Sequence, residues 1–310
     1  MQSIKDISRL CKTRVIERIC DVLLRSGHFR RTVLRRLFQN HVSSSALAYV
    51  TFPDHVLIVD PRDHMISFSL VSGKTWQRHE FDRAIEIAKS ADALEAGGWF
   101  IDIGANIGTQ TLYALLSGKF RGVIAIEPEP RNLALLRRNI ELNGFTARVH
   151  VIEAAASSHS GTADLMRDAE NFGAHSIEPG QRMRRIDSIA VRTRTVDDIL
   201  ASLGIAPKDV GMALIDVEGH EIEVLKGMTS LRRHGVPIVA EVSAPLHGPQ
   251  GIIQMRNLLI ADYRQVATLR ETVADGTGPV ERDLASFDFG LRQCDVLFYN
   301  ARSTAVSQAI

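Results

Sequence analysis

Three residues in the stretch "IDVEGHE" carry chemistry at close spacing: Asp216, Glu218 and His220. Two carboxylates and an imidazole are groups that take up or deliver a proton near neutral pH. Asp216 and Glu218 are two apart and share one side of the chain if the strand stays extended. Gly219 then permits a sharp turn, and His220 opens a helix, "HEIEVLKGM", that ends at Gly227. A helix N-terminus disfavours the imidazolium, which keeps the ring neutral and able to act as a base. The opposing reading makes Asp216 and Glu218 plain caps for the free amides of that helix.

A second group of residues lies upstream. "FIDIGANIG" is an apolar strand ending at Asp102, followed by a loop in which Gly104 and Gly108 flank Ala105 and Asn106. The loop fails the G-x-G-x-x-G spacing of a dinucleotide fold and lacks the Lys-Ser/Thr of a P-loop. It remains a tight turn that lets backbone approach a flat or zwitterionic ligand, and Asp102 can accept hydrogen bonds from an ammonium. The next apolar run, "VIAIEPEP", ends in Glu127, nineteen residues after Gly108. A carboxylate there can accept both hydroxyls of a ribose and repels a 2′-phosphate. Alone, Glu127 is equally well a strand-end acid; its distance from the glycine loop favours the ribose.

These residues need a scaffold, and the pattern supplies one. From residue 99 apolar runs alternate with helical stretches: "WFIDIG", "VIAIEP", "RVHVIEAA", "MALIDVEG", "PIVAEVS", "YRQVATL" and "CDVLFYN". Several runs are continuously apolar, as strands buried on both faces should be. The alternation predicts an α/β, doubly wound, mainly parallel, Rossmann-like sheet with ligands at the carboxyl ends of its strands. Pro130 starts a helix, "RNLALLRRNIELNG", whose inner face is Leu133, Leu136 and Ile140. Thr195-x-x-Asp198 reads as a capping box. Upstream, "HVLIVD" and "DHMISFSL" read as short strands joined by a turn at Pro61-Arg62-Asp63, and a helix over about 80–95 stops at Gly97-Gly98. The chain therefore divides into a basic helical extension (1–45), a hairpin and helix packed on the core (46–98) and the α/β domain (99–302).

Composition narrows the class further. Of 310 residues, 45% are apolar and 24% charged, with a formal net charge of +1, so no global field announces a nucleic-acid partner. The basic charge is local: residues 1–40 hold ten Lys or Arg against three acids. That stretch has helical apolar spacing, and its basic face is either solvated or a peripheral contact with membrane or polyanion. Cys11, Cys20 and Cys294 form no CxxC pair, which fits a reducing compartment without structural zinc. With no apolar run of spanning length and no compact secretory core, a cytoplasmic location is expected. No convergent set of oxygen ligands suggests a metal.

Taken in order, "FIDIGANIGTQTL", "AIEPEPRNLALLRRNIELNG", "TVDDIL", "IDVEGHEIEVLKGM" and "PIVAEVS" closely resemble the FkbM-type methyltransferases, over about residues 55–245. The resemblance implies a class I enzyme that uses S-adenosyl-L-methionine, mostly to methylate hydroxyl oxygens, on a seven-stranded sheet with an antiparallel last strand. It implies that Asp102, Gly104, Ala105, Asn106 and Gly108 hold the methionine part, Glu127 the ribose, and Ala155 and Ala156 the adenine. The acid/base group is then Asp216, Glu218 and His220, with Glu241 and His175 as candidates for touching substrate. The acceptor class it implies is a sugar, glycan, glycolipid or secondary metabolite. Relatives commonly carry a lysine two residues before the aspartate, where this chain has Leu214, which puts the substrate in question more than the fold. Two rival functions remain: a nicotinamide-dependent oxidoreductase on the same sheet, for which Asn106 stands where a glycine is needed, and a non-catalytic module docking membrane or polyanion through the basic N-terminus.

Overall fold

The computed structural model describes residues 47–178, 185–269, 281–289 and 294–302. The basic stretch 4–38, Ser43–Ser45 and the tail beyond 302 lie outside the described residues. In chain order the elements begin with β1 (Ala48–Thr51), β2 (Val56–Val59), α1 (Ile66–Val71), α2 (Arg78–Ser90), β3 (Trp99–Ile103), α3 (Thr109–Leu116), β4 (Gly122–Ile126) and α4 (Pro130–Leu142). Next come β5 (Val149–Ile152), β6 (Ala155–Ala156), β7 (Gly161–Asp168), β8 (Arg185–Arg194), α5 (Val196–Leu203) and β9 (Val210–Ile215). The chain continues with α6 (Glu221–Lys226), α7 (Thr229–His234), β10 (Ile238–Val242), α8 (Ala244–Asp262), β11 (Gln265–Thr268), β12 (Glu281–Asp283) and β13 (Cys294–Tyr299).

The main sheet runs β12-β11-β13-β10-β9-β3-β4-β5. The five strands from β5 to β10 are parallel, and β13 inserts antiparallel between β10 and β11. The seven expected strands are all present, with the antiparallel one supplied by "CDVLFYN"; β12 adds a three-residue edge. Every residue of β4, β9 and β10 is buried, which is why those runs are apolar without alternation. Alternate residues serve opposite faces. Ile101, Ile103, Ile124 and Ile126 join the core under α5 to α8, whereas Phe100, Val123 and Ala125 join the core under α2 to α4.

Three local expectations are corrected. "DHMISFSL" is not a strand: Ile66–Val71 is a helix, because Asp63 accepts from the amides of Met65 and Ser67, and Ile66 and Leu70 bury one helical face. The hairpin is instead β1 with β2, in antiparallel register from Ala48–Val59 to Thr51–Val56. The helix that should have reached residue 95 stops at Ser90, where Asp92 takes a positive φ of 52°. A small second sheet, β6-β8-β7, was not foreseen, since β7 is largely exposed or half-buried and carries little apolar pattern.

The hairpin is fastened to α4 by side-chain amides rather than by apolar contact alone. Asn139, fully buried, accepts from the Ile58 amide at 2.6 Å and donates to the carbonyls of Ile58 (3.1 Å) and Ile107 (2.8 Å). Asn143 repeats the pairing one turn later with Val56. An Asn139→Leu variant leaves three buried backbone groups unpaired, and should lower the unfolding free energy by about 3 kcal/mol in urea titration. A change below about 0.5 kcal/mol would show that the amide ladder is not what holds the hairpin.

Candidate functional site

The glycine loop leaves β3 at Gly104, which has a φ of +86°. A β-carbon there would lie 1.9 Å from the Asp216 carbonyl oxygen, so only glycine allows the ends of β3 and β9 to approach this closely. The amides of Gly104 and Ala105 both donate to the Ile126 carbonyl at 3.0 Å. Asn106 takes a left-handed conformation, φ 51°, which asparagine tolerates. Its side-chain oxygen accepts from the Ile107 amide, and its Nδ2 donates to the Phe172 carbonyl. Gly108, φ 93°, starts α3, and a β-carbon there would press on Leu136. Asp102, in β3, is tied to α3 instead of to the loop. It is fully buried, accepts from the Thr111 hydroxyl at 2.5 Å, and its Oδ1 has no partner among the described residues. Burial pushes its pKa up to about 6 against the Thr111 hydrogen bonds.

Glu127 closes the second strand. Its Oε2 accepts from the Asn106 amide and its Oε1 from the Glu129 amide, both at 2.8 Å. The carboxylate keeps acceptor capacity beyond these two amides, part of which the Asn132 side chain takes. Burial pushes its pKa up to about 7, partly offset by those amides. Glu127 lines a cavity with Gly104, Asn106, Ala155, Ala156, His175, Asp216 and His220. One wall is the segment Phe172–Ile177, whose Phe172 carbonyl is held by both Asn106 and Asn132. His175 therefore faces the Glu127 cavity: its Nδ1 accepts from the Asp168 amide and its ring packs against Phe172. Burial is the main influence lowering its pKa, so the ring is neutral near pH 7.

The fourth strand differs from expectation. β9 ends at Ile215, and Glu218 (φ 51°) and Gly219 (φ 101°) reverse the chain at once. Asp216 and Glu218 thus do not share one side of an extended strand. The turn is fastened by Glu221, a residue the sequence pattern did not single out. Its Oε1 accepts from the amides of Val217 and Gly219, and its Oε2 meets His247 Nε2 at 2.7 Å. The other ring nitrogen of His247 meets the Ser243 carbonyl at 2.9 Å. Both partners only accept, so the ring carries two protons. Burial by itself would lower the pKa of His247, but the Glu221 contact outweighs it and the net shift is upward.

His220 lines the Glu127 cavity with both nitrogens engaged, Nε2 with Ser157 Oγ at 3.0 Å and Nδ1 with Glu178 Oε1 at 2.9 Å. Asp216 occupies a different environment. It stands one residue beyond β9, beside Glu241 on β10, which pairs in turn with Asp295 on β13. Burial raises the pKa of Asp216 well above the ordinary carboxylate range, and Glu218, Glu241, Asp295 and Glu221 add to the rise. Glu218 is pushed to about 8 by burial and by Glu241 and Glu221. Asp216 also lines a second cavity, on the α2–α3 side, with Gln77, Glu80, Gln110, Leu214 and Asp295. Glu218 and Glu241 line neither cavity. No cluster of His, Cys, Asp and Glu among the described residues is arranged to hold a metal ion.

Sheet order, glycine loop and strand-end acids together define a Rossmann-like methyltransferase. The chain belongs to the FkbM methyltransferase family, whose methyltransferase domain pattern matches residues 102–265, more than half of its length. Among curated relatives it is similar to a hexuronic acid methyltransferase, AglP, of Haloferax volcanii, with 29% identity over 46% of this chain and 55% of that protein. It is also similar to the methyltransferase sdnD of Sordaria araneosa, with 29% identity over 44% of this chain and 62% of that one. The matched stretches thus span less than two thirds of those relatives. Among solved structures, a methyltransferase FkbM from Methylobacillus flagellatus aligns over 89% of this chain and 61% of its own, with 14% identity and a TM-score of 0.42.

Burial of these acids makes stability depend on pH. In the unfolded chain carboxyls titrate near their ordinary values of about 4, whereas folded Asp102, Glu127 and Glu218 hold their protons up to about 6, 7 and 8. Their contribution is complete below the unfolded values and is lost as pH climbs through the folded ones. The raised pKa of His247 acts in the same direction at higher pH. The melting midpoint should fall from about pH 5 to about pH 8, and Glu127→Gln should make that slope shallower. A midpoint that rises over this range, in scanning calorimetry without ligand, would contradict the burial argument.

Proposed function

We propose that this chain is an S-adenosylmethionine-dependent O-methyltransferase acting on a hydroxyl of a sugar-like or secondary-metabolite acceptor. The observation that carries the reading is Glu127. Each of its buried oxygens holds one backbone amide, and the carboxylate, which the Asn132 side chain also reaches, keeps acceptor capacity in a cavity that takes in Gly104 and Asn106 of the glycine loop. A ribose hydroxyl fits that remaining capacity. Gly104 and Asn106, which line the cavity, with Asp102, Ala105 and Gly108 of the same strand and loop, are the residues assigned to the methionine portion, and Ala155 and Ala156 supply small apolar surface for the adenine.

When bound, the cofactor supplies a methyl group on a positively charged sulfonium. What is left to the protein is to align the acceptor oxygen and take its proton. Asp216 is placed for this, because it lines both the Glu127 cavity and the second cavity. Burial first, and its acidic neighbours after it, raise the pKa of Asp216, which makes its ionised form a stronger base than an exposed aspartate. His220 is a positioning residue: through Glu178 and Ser157 it ties the cavity wall to the segment after β6. A sugar acceptor is consistent with the name of the haloarchaeal relative.

Calorimetric titration with S-adenosylhomocysteine tests the reading, run on wild type and on Glu127→Ala and repeated with NAD. The expected result is binding that Glu127→Ala weakens by about tenfold or more, about 1.4 kcal/mol, with no heat from NAD. A folded wild-type protein that ignores S-adenosylhomocysteine would end the enzyme reading.

A further inference from the structure

The cavity beside Glu127 measures about 50 Å³, space for a few waters, whereas sites for drug-sized molecules run to roughly 300–1,000 Å³. An S-adenosyl ligand therefore enters only if a wall moves. Gly104, Ile126, Glu127 and Asp216 stand at or just past the ends of β3, β4 and β9, whose ladders fix them. The opposite wall, Phe172, Gly173, His175, Ser176 and Ile177, belongs to the segment that follows β7. That segment closes on itself. Met166 and Ser176 exchange both backbone hydrogen bonds, at 2.9 and 3.1 Å, and Asp168 accepts from the amides of Glu170 and Asn171. Ends held together around side chains packed inside make an Ω-loop, which can swing as one piece about its base. Its tip is held from outside by single hydrogen bonds. The Phe172 carbonyl accepts from Nδ2 of Asn106 (3.2 Å) and of Asn132 (3.1 Å), and the Phe172 amide donates to Asp63 Oδ1 at 3.3 Å. The His64 amide donates to the Glu170 carbonyl at 2.8 Å. Such bonds are each a small part of a domain's stability, so the tip can be released with the sheet intact. The buried Phe172 ring keeps the shut form the populated one.

We infer that the loop from Asp168 to His175 is a gate over the Glu127 cavity, latched through Phe172 by Asn106, Asn132 and Asp63, and that it swings about the Met166–Ser176 base to admit the cofactor. What enters rests on the methyltransferase reading of the cavity; that the gate opens does not. The latch gives α1 a task besides packing. One buried carboxylate, Asp63, accepts from the amides of Met65 and Ser67 at the start of that helix and also from the amide of Phe172. Asn106 likewise serves two partners, meeting Glu127 through its backbone amide and the gate through its side chain. His175 rides on the gate, so it reaches a bound ligand only when the gate is shut.

The test is thiol labelling with dithionitrobenzoate, in the full chain with Cys11, Cys20 and Cys294 replaced by Ser. Ala155→Cys places the probe in the cavity wall, where Ala155 is buried. Ala125→Cys, fully buried in β4, reports unfolding of the whole domain. Labelling at 155 should be at least about tenfold slower than at an exposed thiol and at least about tenfold faster than at 125. Asn132→Ala, which removes one latch bond, should speed labelling at 155 about fivefold. A rate at 155 equal to that of an exposed thiol, equal to that at 125, or unmoved by a folded Asn132→Ala overturns the gate. Hydrogen exchange of the wild-type chain decides if the cysteine variants do not fold. The Phe172 amide should exchange at least about tenfold faster than the amides of β4, and equal rates overturn the gate. S-adenosylhomocysteine should stop labelling at 155. Its failure to do so counts against the cofactor, whereas the rates without ligand count for or against the gate.

Discussion

Four neighbouring strands, β3, β9, β10 and β13, bring the acids Asp102, Asp216, Glu241 and Asp295 to one face and one end of the sheet. Burial alone raises the pKa of Asp102, whereas burial and then Glu218, Glu241, Asp295 and Glu221 raise that of Asp216, so this end of the sheet holds protons. Much else in the molecule follows from that crowding. Gly104 must be glycine, because the end of β3 touches the backbone at Asp216. The chain must reverse straight after Asp216, which requires the positive φ of Glu218 and Gly219. The reversal in turn requires Glu221 inside it and His247 behind it. The edge is thereby left rich in proton-holding groups.

The two cavities divide the work of the edge. The one beside Glu127 combines an amide-held carboxylate, small alanines and a wall pinned by Asn106 and Asn132. The one on the α2–α3 side is narrower in chemistry, with carboxylates and a lone amide oxygen. Asp216 is common to both. His220, by contrast, has each nitrogen committed to a neighbour, which places it in the scaffold of the Glu127 cavity.

The residues around the glycine loop were legible in the sequence because strand, loop and helix are contiguous there. Spacing placed Gly104, Asn106 and Glu127 together, and the structure joins Asn106 to Glu127 through the Asn106 amide. The capping box was legible for the same reason: Thr195 Oγ1 accepts from the Asp198 amide at 2.9 Å. Glu221 and His247 were not legible, being 26 positions apart and joined only when α8 packs against the turn. The strand assigned to "DHMISFSL" failed because a single buried side chain, Asp63, caps a helix that six residues of mixed pattern cannot announce. The turn at Glu218 was misplaced because periodicity cannot say where a strand stops.

Protons held on buried acids at the carboxyl edge are the ones a cationic ligand displaces. Calorimetry of S-adenosylmethionine and S-adenosylhomocysteine binding near pH 7, in buffers of differing ionisation heat, counts those protons directly. The sulfonium differs from the thioether by one positive charge. The account predicts net proton release with S-adenosylmethionine, smaller release with S-adenosylhomocysteine, and S-adenosylmethionine affinity that rises with pH across the raised carboxyl values. Equal proton counts for the two ligands, with affinity independent of pH, would contradict it.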